Sequence, residues 1–231
     1  MSDSRTTSQT KTDEDIEELH ELLLEMGNGV DSLLSQAVVA LLEGDTEMIR
    51  AARKEDVRAH NCWLKIDEHC RHMLCNDELE PGQVEKVTSA LKMALDMRRI
   101  ADEGCSAARS ADKVELETLH GTVLRELIPH MAELAQDMLD KALDVLTVHG
   151  EASTAEQQKA YRDLESESRE VFTAVTESIQ EQTVSPEQGG ELLLVARTVE
   201  RIGGYALDVS NHVGHYYETH VSTRAGEAAE A

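Results

Sequence analysis

The amino-acid sequence predicts an all-α fold of six helices, arranged as two tandem three-helix bundles. Three observations point there. Apolar residues recur at steps of three and four, the period of a helix that buries one face. With three Pro, one Trp, one Phe and four Tyr in 231 residues, the aromatic content and turn punctuation usual in sheets are missing. A three-part order of helices also occurs twice along the chain.

Residues 1–13 are polar, lack the basic-then-apolar order of a signal peptide, and are expected to be disordered. From Asp15 the apolar set Ile16, Leu19, Leu22, Leu23, Met26, Val30, Leu33, Leu34, Ala37, Val38, Leu41 and Leu42 marks the first helix. It closes at Glu43-Gly44-Asp45, where Gly44 permits a C-cap and Asp45 can cap the second helix. That second helix is expected from about Asp45 to Asn76, with a break over residues 77–82. Pro81 suits the opening of a third, which continues to about Arg109. The order then returns. A helix through Met131, Met138, Leu139, Leu143 and Leu146 ends near His149-Gly150, a polar helix covers about Ser153 to Thr183, and Ser185-Pro186 opens a last helix ending near His220. Pro129 leaves two readings open for residues 112–148: one long kinked helix, or a short helix followed by a new start. The tail, 222–231, is rich in Ala, Gly, Glu, Ser and Thr and is also expected to be disordered. The two repeats are accordingly assigned to residues 14–110 and 111–221.

The duplication can be checked position by position. Adding 105 to Met26, Leu34, Ala37 and Leu41 lands on Met131, Leu139, Ala142 and Leu146; adding 102 to Leu91, Ala94, Arg99 and Ile100 lands on Leu193, Ala196, Arg201 and Ile202. Two alignments in the same order indicate a tandem repeat.

Charge narrows the function classes. A formal net charge of −24, from 46 acidic against 22 basic residues, repels nucleic-acid phosphates and anionic membrane surfaces, so direct DNA binding is disfavoured. With only 8 Lys against 14 Arg, this acidity suits a salt-rich cytoplasm and a halophilic archaeon as host. No apolar run approaches the ~20 residues of a membrane span. Cys62, Cys70, Cys75 and Cys105 are irregularly spaced on helical segments, as expected for reduced thiols in a cytoplasm.

At the third helix of each copy the sequence becomes specific. Residues 91–102, Leu-Lys-Met-Ala-Leu-Asp-Met-Arg-Arg-Ile-Ala-Asp, and residues 195–204, Val-Ala-Arg-Thr-Val-Glu-Arg-Ile-Gly-Gly, resemble the PhoU family signature of an apolar stretch followed by Asp-Leu-Glu-Arg-Ile-Gly-Asp. Met26 and Met131 open first-helix patterns that are similar to those of the family, and the resemblance runs from about Asp15 to His220. It implies two three-helix bundles side by side and a regulator that links a phosphate importer to signalling by protein–protein contact. It further implies a homodimer, and as partners the cytoplasmic subunit of a phosphate ABC transporter or a sensor protein. The signature positions here are Asp96, Arg98, Arg99, Asp102, Glu200, Arg201 and Gly204.

In the family a Glu and an Asp at i and i+4 of each signature helix can bind metal, including iron clusters. Each copy of this chain has lost one of the pair: Arg98 stands at the Glu position ahead of Asp102, and Gly204 stands at the Asp position after Glu200. A guanidinium repels a cation and cannot ligate one, but Arg98 can pair with Asp102 one turn on. Asp102 and Glu200 are the remaining candidate ligands, with Asp96, Glu103 and Asp208 nearby, and no cofactor is required.

Other constellations have plainer readings. His69, Cys70, His72 and Cys75 lack a second knuckle for a zinc site. His212, His215 and His220 sit at a helix end, where histidine suits the macrodipole. Glu17 with His20 and Glu117 with His120 have diiron spacing without assignable carboxylate partners. No phosphate loop, nucleophile elbow or cysteine-centred catalytic pattern occurs, and Gly203-Gly204 reads as close helix packing.

The expected function is therefore a non-enzymatic, cytoplasmic regulator or adaptor of phosphate uptake and phosphate-responsive signalling. A helical adaptor diverted to a sensory or motility network, and a metal-binding carboxylate bundle, are the alternatives. Carboxylate repulsion makes a first prediction: the thermal midpoint, followed by circular dichroism, rises from low salt to molar potassium chloride as the Debye length shortens to ~3 Å. A flat profile would remove both the electrostatic reading and the halophilic host.

Overall fold

A computed structural model describes residues 2–75, 79–111, 113, 119, 123–148 and 154–227, the side chains of 2–10, 111 and 218–227 excepted. Among the described residues are six helices and no strand: α1 (Ser2–Glu43), α2 (Thr46–Leu74), α3 (Pro81–Ala111), α4 (Leu124–Val148), α5 (Thr154–Gln180) and α6 (Pro186–Glu227). Helices α1–α3 form one bundle and α4–α6 the other, and the two bundles meet along α3 against α6 and α1 against α4.

Local chemistry sets the joints. Gly44 adopts φ +65°, the left-handed conformation that Gly tolerates without steric cost, and ends α1. Next along the chain, the Asp45 carboxylate accepts the Glu47 amide at 2.8 Å and caps α2. Ser185 does the same for α6, its Oγ accepting from the Gln188 amide at 3.2 Å, with Pro186 at the first helical position. Pro129 lies within α4, which begins at Leu124, while most of residues 112–122, on which the two readings differ, lie outside the described residues. As the sixth residue of α4, proline removes one early hydrogen bond and its ring crowds the carbonyl of Arg125.

The helical backbone of α1 begins at Ser2 and that of α6 continues to Glu227. Helix α2 runs to Leu74 with Cys75 as C-cap; Asn76, near which the sequence places its end, lies outside the described residues.

Packing bears out the position-by-position duplication. Met26, Leu34, Ala37 and Leu41 are buried, and so are Met131, Leu139, Ala142 and Leu146; Ala94 and Ile100 are matched by Ala196 and Ile202. These side chains belong to one apolar cluster that runs through both bundles. Each fully buried Leu, Ile or Met contributes about 1.5–3 kcal/mol relative to exposure.

The α1–α4 seam carries a polar layer. Gln136 donates to Asp31 Oδ1 at 3.2 Å and to Ser35 Oγ at 2.6 Å, and the carboxyls of Asp31 and Asp140 share a hydrogen bond. Burial first, then this bond and the Asp31 charge, push the Asp140 carboxyl up from 3.8 to about 6. A carboxyl raised in the folded state binds its proton more tightly there than in the unfolded chain. Its contribution therefore turns against folding as pH rises from near 4 through about 6. The variant D140N, which supplies a permanent N–H donor to Asp31, should raise the thermal midpoint at about pH 7.5, with the gain vanishing near about pH 4. An equal effect at both pH values would show that no proton is shared.

Candidate functional site

The signature helices α3 and α6 lie against each other, and their paired positions reach across the interface. Arg201 on α6 pairs with Glu103 on α3 at 2.8 Å. Its counterpart 102 residues earlier, Arg99, lies over the ring of Tyr205, 5.5 Å from its centroid. Tyr205 is itself 102 residues after Glu103, so the two contacts are related by the duplication, one an ion pair and the other a cation–π contact.

Asp96 anchors the centre of this interface. Its side chain is only 7% exposed; Oδ1 accepts from Arg99 at 2.9 Å, and Oδ2 lies 3.5 Å from His212 Nε2 of α6. Burial, followed by the Asp96 charge, raises the nearby Asp208 carboxyl above the ordinary range, while His212 and Arg99 oppose the rise. His212 thus belongs to the repeat interface and is separated from His215, which is exposed; the side chain of His220 lies outside the described residues.

The two metal-motif positions face the second helix of each repeat. Arg98 extends one guanidinium nitrogen to Asp56 Oδ1 of α2 and another to Asp102 Oδ1, each at 2.6 Å. In the second repeat Glu200 accepts from Ser168 Oγ of α5 at 2.6 Å and from Arg197 at 2.5 Å. Gly204 stands beside Tyr161 of α5: a Cβ built on it would lie 3.5 Å from the ring, so an aromatic face occupies the space next to the missing carboxylate. The remaining candidate ligands Asp102 and Glu200 each belong to their own repeat, and each is already paired with an arginine.

Asp56, Ser168, Arg197, Tyr161 and Tyr205 do not stand out in the sequence. Tyr205 has a readable signal, its 102-residue offset from Glu103. Asp56 and Ser168 have none, because their roles depend on how the second helix is rotated against the third.

The cysteine–histidine group on α2 does not converge. Cys70 is buried, with its thiol directed to the Val87 carbonyl at 3.7 Å, while His72 and Cys75 are exposed. His69 Nε2 bonds the Asp15 carbonyl at 2.8 Å. Asp15, Glu18 and His69 bring ligand atoms within 4.8 Å of one another at the bundle end. All four cysteines are free, and burial pushes the thiols of Cys70 and Cys105 up to about 12 and about 11, which keeps them protonated. His20, the one described histidine of the two diiron-spaced pairs, is buried and stacked on Tyr216 with ring centroids 6.2 Å apart; Glu117 and His120 lie outside the described residues. No described helix is long and apolar enough to cross a membrane.

Comparison with known proteins agrees with this geometry. The PhoU domain model matches residues 23–111 and 128–213. The chain is similar to a phosphate-specific transport system accessory protein PhoU homolog of Pseudomonas putida, 28% identical over 207 residues, covering 86% of this chain and 77% of that one. It is similar to a homolog of the same name from Pseudomonas aeruginosa, 27% identical over 204 residues, with coverage of 86% and 82%. Among solved structures, PhoU from Pseudomonas aeruginosa superposes with a TM-score of 0.79 at 22% identity, covering 87% of this chain and 96% of that chain. The phosphate transport system regulatory protein PhoU from Streptococcus pneumoniae gives 0.72 at 18% identity, with coverage of 91% and 97%.

Gly203 tests the closeness of α6 to its own bundle. A Cβ there would collide with Cδ2 of Leu164, a side chain with no exposed surface into which to retreat. Overpacking of this kind costs about 1–3 kcal/mol, more than the ~1 kcal/mol of helix propensity that Ala gains over Gly. At Gly190 of the same helix nothing lies within 4 Å of the added carbon. Thermal denaturation should therefore show G203A below and G190A above the wild-type midpoint.

Proposed function

Since the chain belongs to the PhoU family, we propose that it is a regulatory accessory protein of phosphate uptake and phosphate-responsive signalling, acting in the cytoplasm through protein–protein contact. The observation that carries this reading is the coverage of the chain by two PhoU domain matches, residues 23–111 and 128–213. The interlocking of their signature helices through Arg201–Glu103 and Arg99–Tyr205 supports it. The names of the relatives and of the solved neighbours give the same direction.

Under this reading the chemistry is recognition and not turnover. The signature side chains Asp96, Arg98, Arg99, Asp102, Glu200 and Arg201 are engaged in contacts within the chain, which fit a rigid platform better than a reaction centre. Its partners are then the cytoplasmic part of a phosphate transporter or a sensor protein, with self-association as a homodimer and a halophilic archaeal host as further parts of the proposal. A second reading, an adaptor in a sensory or motility network, is favoured by the loss of one carboxylate from each paired motif.

Deletion of the gene in a host with no second member of the family should deregulate phosphate uptake or phosphate-responsive transcription at high phosphate. Unchanged responses in both assays would overturn the phosphate role. Affinity capture separates the two readings: transporter or phosphate-sensor subunits support the first, and exclusively sensory or motor components the second.

A further inference from the structure

We propose that the Arg98 guanidinium is the built-in cation of the first repeat, standing where the paired carboxylates of the family signature would hold a metal ion and tying α2 to α3 in its place. A metal at this position would draw together carboxylates from two helices, with oxygens about 2.0–2.6 Å from the ion. Here two different nitrogens of one planar fork meet Asp56 Oδ1 of α2 and Asp102 Oδ1 of α3, both at 2.6 Å. These are short, charge-assisted bonds in a geometry that Arg, and not Lys, can supply from a single side chain. The guanidinium is largely enclosed, at 16% side-chain exposure, so it is seated between the helices and does not wave in solvent.

The second repeat reaches the same end by another route. Glu200 occupies the position equivalent to Arg98, 102 residues on, and its cation is Arg197, three residues earlier on the same helix, at 2.5 Å. Ser168 of α5 supplies the cross-helix bond that Asp56 supplies in the first repeat, 2.6 Å from Glu200 Oε2. Each site therefore contains its own positive charge, and neither presents the pair of free carboxylates that a hard cation needs. The donor sets do not fit a resident metal, and the tie between second and third helices is independent of metal supply.

Removing the guanidinium should uncover the site it fills. In R98A, Asp56 and Asp102 are left facing one another without a cation, so the thermal midpoint in excess EDTA falls below wild type. Adding Mn2+ or Ca2+ should return it to the wild-type value, with one ion bound per chain by titration calorimetry. R98Q, which keeps most of the side-chain length and removes the charge, gives the same readout should R98A not fold. The wild type should show no chelator effect and no uptake of either ion that depends on Asp56 and Asp102. Generic screening of the acidic surface is read from D56N/R98A/D102N, which should gain no more from the divalent ions than the wild type does. The proposal is overturned if R98A and R98Q gain no more from Mn2+ or Ca2+ than that triple variant. It is also overturned if the wild type itself binds one ion that D56N/D102N loses.

Discussion

The third helix of each repeat must be buried on two sides at once, and the rest of the molecule depends on that constraint. Helix α3 packs within its own bundle against α1 and α2 and, across the repeat boundary, against α6; α6 does the same in reverse. A single three-helix unit would leave one of these faces in water, which is the usual reason a repeat unit needs a neighbour. The apolar cluster accordingly runs through both bundles without a break. Most polar groups described at the boundary have partners, Asp96 with Arg99 and His212, Arg201 with Glu103, and Gln136 with Asp31 and Ser35, whereas His212 Nδ1 is buried without one. Isolated, any of these groups would carry a desolvation penalty at such a seam.

Helix identity and the duplication were legible in the sequence because both are written in periodicity. The offsets of 105 and 102 residues predict which side chains are equivalently buried, and Met26 with Met131 or Ile100 with Ile202 are. Capping at Asp45 and the role of Pro186 were legible for the same local reason. The contact from Arg98 to Asp102 could be read as an i, i+4 pair. Its other half, Asp56, could not: it lies 42 residues away, and its approach depends on the rotation of α2 about its axis.

The same limit explains the reading of the histidines and cysteines. Along α2, residues 69–75 crowd four soft ligands into two turns, but a helix distributes consecutive residues around its circumference. Cys70 consequently faces the core while His72 and Cys75 face solvent. His212, grouped by sequence with a helix end, proves to belong to the interface because α3 lies beside it with a buried carboxylate.

The polar layer between α1 and α4 has a bearing on how the chain stays intact among copies of itself. Asp31 and Gln136 are equivalent positions, 105 residues apart, as are Ser35 and Asp140, and the seam sets each pair near the pseudo-symmetry axis. Were two first repeats from different molecules to pair through this face, Asp31 would meet another Asp31; two second repeats would set Gln136 against Gln136 and against Asp140. The mixed pairing gives Asp31 the Gln136 amide in place of a second carboxylate. Divergence of the two halves has thus made first repeat against first repeat the disfavoured combination, and the covalently linked second repeat is the better match for Asp31.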